Sequence, residues 1–318
     1  MRVRFWGTRG SIPVALTAAD IRDRMAQVLM RASGRTFPSF EEAHAFARDE
    51  LDFSLTHTFG GHTPCVEMVI PGDEYYVCDV GSGARPFGTH VLAREAGRPA
   101  TVNVFMSHVH WDHIMGFPFF GPAYVPGTKI HIHGCHDVVE QAYRLQQSPP
   151  CFPVGWEQLG ATIDFIKLEP DKPYKVNGMT VTPHLQLHSG DSYGYRFEHE
   201  GKSVIYSTDS EHKLVNRAEA ETFAAFFRGA DLVIFDAMYA LAEAISIKAD
   251  WGHSSNIVGV ELCQMARAKH LMLFHHEPAN NDATLEGLLK EARRFEELTR
   301  GDQPLKVSAA YDGLEVDL

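Results

Sequence analysis

Val102 to Ser107, VNVFMS, is a short β-branched and apolar run, and His108, His110, Asp112 and His113 follow it within six positions. A run of this length and composition reads as a strand. The four groups therefore stand at a strand's carboxyl end, where α/β folds tend to keep reactive side chains. A fold that accommodates this cluster must bring further donors to the same sheet edge, and three residues have the required placement. His188 ends VTPHLQLH, Asp209 ends VIYSTD, and His275 follows HLMLF. Any one of them alone would more often be structural.

The spacing H-x-H-x-D-H is metal-ligand chemistry. On extended or turning backbone His108 and His110 point the same way, toward one cation, while Asp112 and His113 at the bend point toward a second. Imidazole and carboxylate donors suit zinc, manganese or iron, and the absence of thiolate excludes a Cys-rich structural knot. Cys65, Cys78, Cys135, Cys151 and Cys263 are odd in number and scattered without a CxxC pair, which reads as reduced thiols, not a disulfide framework.

Strand-like runs recur along the chain, from Val3 to Trp6 through Lys306 to Ala309, with helical patterns at Asn216 to Arg228, Ser254 to Ala268 and Ala283 to Thr299. This is an α/β chain, expected to form a single domain over 1–318. Thr17 to Leu51 interrupts the strands with two helical patterns. Thr17 and Asp20 open the first, and Ser39-x-x-Glu42 opens the second. The segment is expected to be a helical hairpin inserted at 17–51. It either packs on its own domain or serves as a lid or a homodimer contact.

Lys and Arg total 29 against 41 Asp and Glu, a formal charge of -12. That balance repels a long polyanion such as nucleic acid and favours small substrates. No apolar run approaches a membrane span, and MRVRFWGTRGSIP lacks the apolar core of a secretory signal. A cytoplasmic protein is the expectation.

The pieces FWGTRGSIP, DVGSG, SHVHWDH, LHSGDSYGYR, YSTD, DAMY, WGHSS and LFHHEP together resemble the metallo-β-lactamase superfamily, in particular its branch of tRNase Z and related metal-dependent phosphodiesterases. The resemblance implies an αββα sandwich of two mixed β-sheets flanked by helices, with two divalent metal ions, zinc foremost, on one edge. It implies that His108, His110 and His188 bind one metal, that Asp112, His113 and His275 bind the other, and that Asp209 bridges them. It also implies a metal-bridging hydroxide as nucleophile, with Asp112 orienting it and His253 of WGHSS as a proton donor to the leaving group. The alternative for His253 is a helix N-terminal position with Ser254 or Ser255 as cap. Glu211 and Asp191 are candidates for the carboxylate partner of His253.

The function expected is a dinuclear metal-dependent hydrolase acting on a small phosphodiester such as a cyclic nucleotide. A lactone, ester or thioester hydrolase, a tRNase Z-like ribonuclease and a non-catalytic metal-binding sensor are the alternatives. The ribonuclease reading lacks the basic, glycine-rich arm that grips tRNA in that branch. Among the other histidines, His131 and His133 alternate with Ile130 and Ile132 as a polar strand face, His276 is expected to lie outside the ligand set, and His62 follows a Gly-Gly turn. Asp79 ends a strand at a place where, by the resemblance, related folds keep an aspartate that anchors the ligand loop. Phe117, Phe119 and Phe120 are expected to be mainly core.

Overall fold

A computed structural model describes residues 1–213 and 216–318. Its strands are β1 (Arg2–Gly7), β2 (Cys65–Val69), β3 (Glu74–Cys78), β4 (Thr101–Met106), β5 (Lys129–Gly134), β6 (Thr162–Lys167), β7 (Tyr174–Val176), β8 (Met179–Gln186), β9 (Ser192–His199), β10 (Lys202–Ser207), β11 (Leu232–Asp236), β12 (His270–Phe274), β13 (Lys306–Ala309) and β14 (Glu315–Asp317). The helices are α1 (Ala18–Arg31), α2 (Phe40–Asp49), α3 (Phe53–Thr56), α4 (Ala84–Arg94), α5 (Trp111–Ile114), α6 (Val139–Gln146), α7 (Arg217–Phe227), α8 (Leu241–Ala244), α9 (Asn256–Met265) and α10 (Asp282–Thr299).

The strands form two sheets, ordered β14-β1-β2-β3-β4-β5-β6 and β13-β12-β11-β10-β9-β8-β7. Both are mixed: β3 to β6 run parallel, as do β10 to β13, while their neighbours pair antiparallel. Parallel strands need crossover connections, and these place helices on the outer faces. Three apolar layers result. Phe5, Phe105, Tyr195, Phe197, Tyr206 and Phe274 fill the space between the sheets. Phe223, Phe227, Val260 and Leu262 carry α7 and α9 on one outer face. Phe87 and Val91 of α4 pack with Val104 and Ile132 on the other. β11 and β12 are buried at every position, because both of their faces are covered. This is the αββα sandwich.

The expected strands are present with ends shifted by a residue or two. β7 and β14, three residues each, are the additions, and both are edge strands. Edge strands this short offer too little periodicity to stand out in a sequence. α1 and α2 occupy the 17–51 segment. Thr17 and Asp20 cap α1 reciprocally, and Ser39 accepts from the Glu42 amide. α1 buries none of its residues, and its apolar positions Met25 and Leu29 are 60% and 70% exposed. Arg24 ties the helix to the body through Asp282 and the His57 carbonyl.

No helix among the described residues is long and apolar enough to cross a membrane. Phe117 and Phe120 are fully buried, whereas Phe119 is 58% exposed and meets Phe152 edge-on at 5.4 Å. The polar-face expectation holds for His131, which pairs with Asp164 at 3.2 Å. It fails for His133, whose ring is buried and stacks on Phe105.

Candidate metal centre

Strand ends build the site. Asp79 follows β3, His108 follows β4, His188 follows β8, Asp209 follows β10, Asp236 closes β11 and His275 follows β12. His110 caps the short helix α5, which carries Asp112 and His113. Asp79, Asp209 and His275 all have left-handed backbone, with φ of +57°, +44° and +58°. Non-glycine residues hold this conformation at a cost of about 1–3 kcal/mol each, and only where the surrounding packing enforces it. Here the reversal turns each side chain off its strand and into a shared pocket.

The donor atoms gather in two groups. One is His108, His110 and His188; the other is Asp112, His113, Asp209 and His275. Within each group one potential ligand atom per residue lies within 4.8 Å of all the others. Asp209 joins them. Its Oδ1 lies 3.2 Å from Nε2 of both His113 and His275, and its Oδ2 lies 3.6 Å and 3.7 Å from Nε2 of His108 and His188. Asp112 Oδ2 is 3.2 Å from His113 Nε2 and 3.4 Å from His275 Nε2. All seven residues expected from the sequence therefore lie together in the structure.

The outer nitrogens of three imidazoles are held by hydrogen bonds that aim the inner ones. His188 Nδ1 lies 2.8 Å from the Gly252 carbonyl, His113 Nδ1 lies 2.8 Å from Asp79, and His108 Nδ1 lies 3.1 Å from the Ser107 hydroxyl. Such outer partners fix tautomer and ring orientation in metal sites. Asp79 also accepts from the Ser107 amide and hydroxyl and from Tyr206. Gly252 must be glycine: its φ is +80°, and a Cβ there would meet His188 Nδ1 at 2.5 Å. The N-terminal motif reaches in as well. Ser11 donates its amide to Asp112 Oδ2 at 2.9 Å, and Gly10 lies so close to the His275 ring that a Cβ would sit 2.7 Å from it.

These residues fit a cation. Nε2 of His108 is buried with no hydrogen-bond partner among the described residues, Asp209 Oδ2 standing 3.6 Å away, an arrangement that leaves a desolvated polar atom uncompensated unless something is bound there. His188 Nε2 and His110 Nδ1 face each other at 3.1 Å. Burial pushes His108 well below its ordinary range and lowers His110 and His188, so these rings are neutral and present lone pairs. Around His113, three carboxylates outweigh burial and hold its pKa well above the usual value, which marks a point that favours positive charge. Burial would raise Asp112 and Asp209, but the surrounding imidazoles win and lower both.

His253 stands beside the cluster, with a ligand-type atom within 4.8 Å of those of His188 and Asp209. Its carboxylate partner is Asp236, at 2.9 Å from Nδ1. Neither sequence candidate takes that role. Glu211 accepts from the amides of Asp250 and Gly252, and the Asp191 carbonyl faces His136. The signal for Asp236 was present: it closes the apolar run LVIFD in the way Asp209 closes its own strand, and it opens the DAMY piece. Burial opposes protonation of His253, but the charge and hydrogen bond of Asp236 outweigh it and push the pKa up to about 9. Ser255 caps α9, as the alternative reading of His253 expects, and His253, two residues before that cap, also pairs with Asp236. His276 turns away to the Ala310 carbonyl, and His62 sits against Ser82.

The family described as the beta-lactamase superfamily domain matches residues 78–276. The chain belongs to it, within the metallo-β-lactamase superfamily that the fold and the donor set define. Among curated relatives, Ribonuclease Z of Staphylococcus saprophyticus is 30% identical over 131 residues, 39% of this chain and 39% of that protein. The match thus spans well under two thirds of that relative's length. Among solved structures, the metallo-beta-lactamase fold protein YhfI from Bacillus subtilis is similar over 99% of this chain and 98% of its own, with a TM-score of 0.65 and 19% identity. A diphosphatase from the PhnP family is similar over 100% and 97%, with a TM-score of 0.60 and 17% identity.

Proposed function

We propose that this metallo-β-lactamase-family hydrolase acts on a small phosphodiester, of which a cyclic nucleotide is one case. The observation that carries this reading is the Asp236–His253 pair, fixed beside a cluster of seven donors. In this reading His108, His110 and His188 would hold one divalent cation and Asp112, His113 and His275 a second, with Asp209 placed between the two groups. Zinc is the metal best matched to this imidazole-rich set. A pair of such cations lowers the pKa of water and neutralises charge on a phosphoryl oxygen.

The chain's own residues do the rest. Asp236 accepts the Nδ1 proton of His253 and so turns Nε2 toward the cluster. From there His253 hands a proton to the departing alkoxide. Asp112, held by the Ser11 amide, keeps one oxygen against His113 and His275. Trp111, 69% exposed and next to His110 in the chain, offers a flat face to a substrate ring.

The match to a Ribonuclease Z supports RNA as a second reading, and the charge of -12 opposes it. Turnover of bis(p-nitrophenyl) phosphate and of cyclic nucleotides by the metal-loaded protein is the test. A fully loaded protein that cleaves neither, yet opens a lactone or thioester, overturns the phosphodiester reading.

A further inference from the structure

A second cavity lies away from the metal centre, where the edge strands β13 and β14 of the two sheets border α10. Its volume is about 450 Å³, within the range of small-molecule sites. Aromatic rings form one wall: Phe53 lies 4.6 Å from Phe59 and 5.2 Å from Tyr311, centroid to centroid.

The charges on its lining are unevenly matched. Glu286 is paired with Lys290, Glu315 with Arg2 and Arg4, and Asp317 with Arg2. Arg293 and Lys306 also line the cavity, and neither has a carboxylate within ion-pair distance among the described residues. In a chain with a net charge of -12, two cations left without a partner on one cavity are conspicuous. Arg293 is held by its Nε, which donates to the Val307 carbonyl at 2.9 Å and leaves the terminal nitrogens of the guanidinium uncommitted. Lys306 is the β-partner of His270, and His270 shares a hydrogen bond of 3.0 Å with the Ser308 hydroxyl. Burial lowers His270 to about 4, and the nearby Lys306 and Arg293 push the same way. The imidazole is therefore neutral, and both cations act on it from the lining of the same cavity.

We propose that this cavity binds an aromatic phosphate monoester of mononucleotide size. The phosphate would lie between Arg293 and Lys306 near Ser308, and the ring against the Phe53 and Tyr311 wall. Two cations and a hydroxyl match a dianion with several acceptor oxygens better than a carboxylate, and aromatic side chains give a flat ring its stacking surface. The site does not depend on the reaction at the metal centre.

The test uses the fluorescent nucleotide N-methylanthraniloyl-AMP with the full chain in which Asp209→Ala disables the metal centre. Saturable binding at one equivalent is expected, weakened at least tenfold by Arg293→Gln together with Lys306→Gln and retained in Lys306→Arg. Both altered residues are exposed, and an unchanged thermal midpoint will show that the fold is intact. N-methylanthraniloyl-adenosine, which lacks the phosphate, is expected to bind at least tenfold more weakly. Affinity unchanged within twofold by the double substitution overturns the assignment, as does absence of saturable binding. Preference for dodecanoate over the nucleotide overturns the phosphate class.

Discussion

Oδ2 of Asp236 lies 2.9 Å from Nδ1 of His253, joining the end of β11 to the loop before α9. The same carboxylate accepts from the Ser210 and Met238 amides, so its position is set by backbone, and the imidazole follows. Asp236→Asn is expected to lower kcat about 10²-fold or more, within the range general acid catalysis supplies, at unchanged metal content. His253→Ala should lose a similar factor, and the double variant little beyond either. Fully additive losses in the kinetics of the double variant would separate the two residues' roles.

Asp209 divides its two oxygens between the two donor groups. In the two-cation reading Asp209→Ala is therefore expected to deplete both ions, while His275→Ala, which belongs to only one of these two donor groups, retains one. Elemental analysis after gel filtration decides this. Two full equivalents bound to the Asp209 variant would remove it from the bridging position.

Gly252 combines a φ of +80° with a backbone that would press a Cβ onto His188. Gly252→Ala must move the carbonyl that accepts from His188 Nδ1. Metal affinity is expected to fall about 10–100-fold, the usual effect of losing an outer partner of a ligand, and competition with a chromophoric chelator measures it. Wild-type affinity would show that the loop relaxes without moving His188.

His212 is buried among Phe223, Phe227 and Phe235, and neither ring nitrogen has a hydrogen-bond partner among the described residues. Burial pushes its pKa down to about 3. In the unfolded chain a histidine titrates near 6.5, so above that pH both states are neutral and the group has no effect. As pH falls below about 6.5 the unfolded chain takes up a proton that the folded one refuses, and stability declines by about 1.4 kcal/mol per pH unit until about pH 3. His212→Leu is expected to recover about 2 kcal/mol of the loss between pH 7 and pH 5. Urea unfolding at both pH values reads the difference, and an unchanged acid dependence would place the ring in contact with water.

Asp79 accepts from Ser107, His113 and Tyr206 with all four residues buried. Asp79→Ala leaves buried donors unpaired and is expected to cost about 3–5 kcal/mol, as for the loss of one partner in a buried charged network. Chemical denaturation would detect it; a loss under 1 kcal/mol would mean that water replaces the carboxylate.

Local chemistry was legible in the order of residues. Strand periodicity, the H-x-H-x-D-H spacing and the rule that donors stand where apolar runs stop all arise within a few positions of one another, and they sufficed for an α/β chain with seven donors at its strand ends, while the αββα class came from the family resemblance of the motifs. Pairings over long sequence distances were not legible. Asp236 met His253, Ser11 met Asp112 and Arg24 met Asp282 only because two sheets stack and their strand ends share one edge, so partner choice depends on register and backbone reversal, which no local pattern encodes. For the same reason the cavity between β13 and β14 was invisible beforehand. Its cations are ordinary residues in the chain, and only the folded edges leave them without carboxylate partners among the described residues.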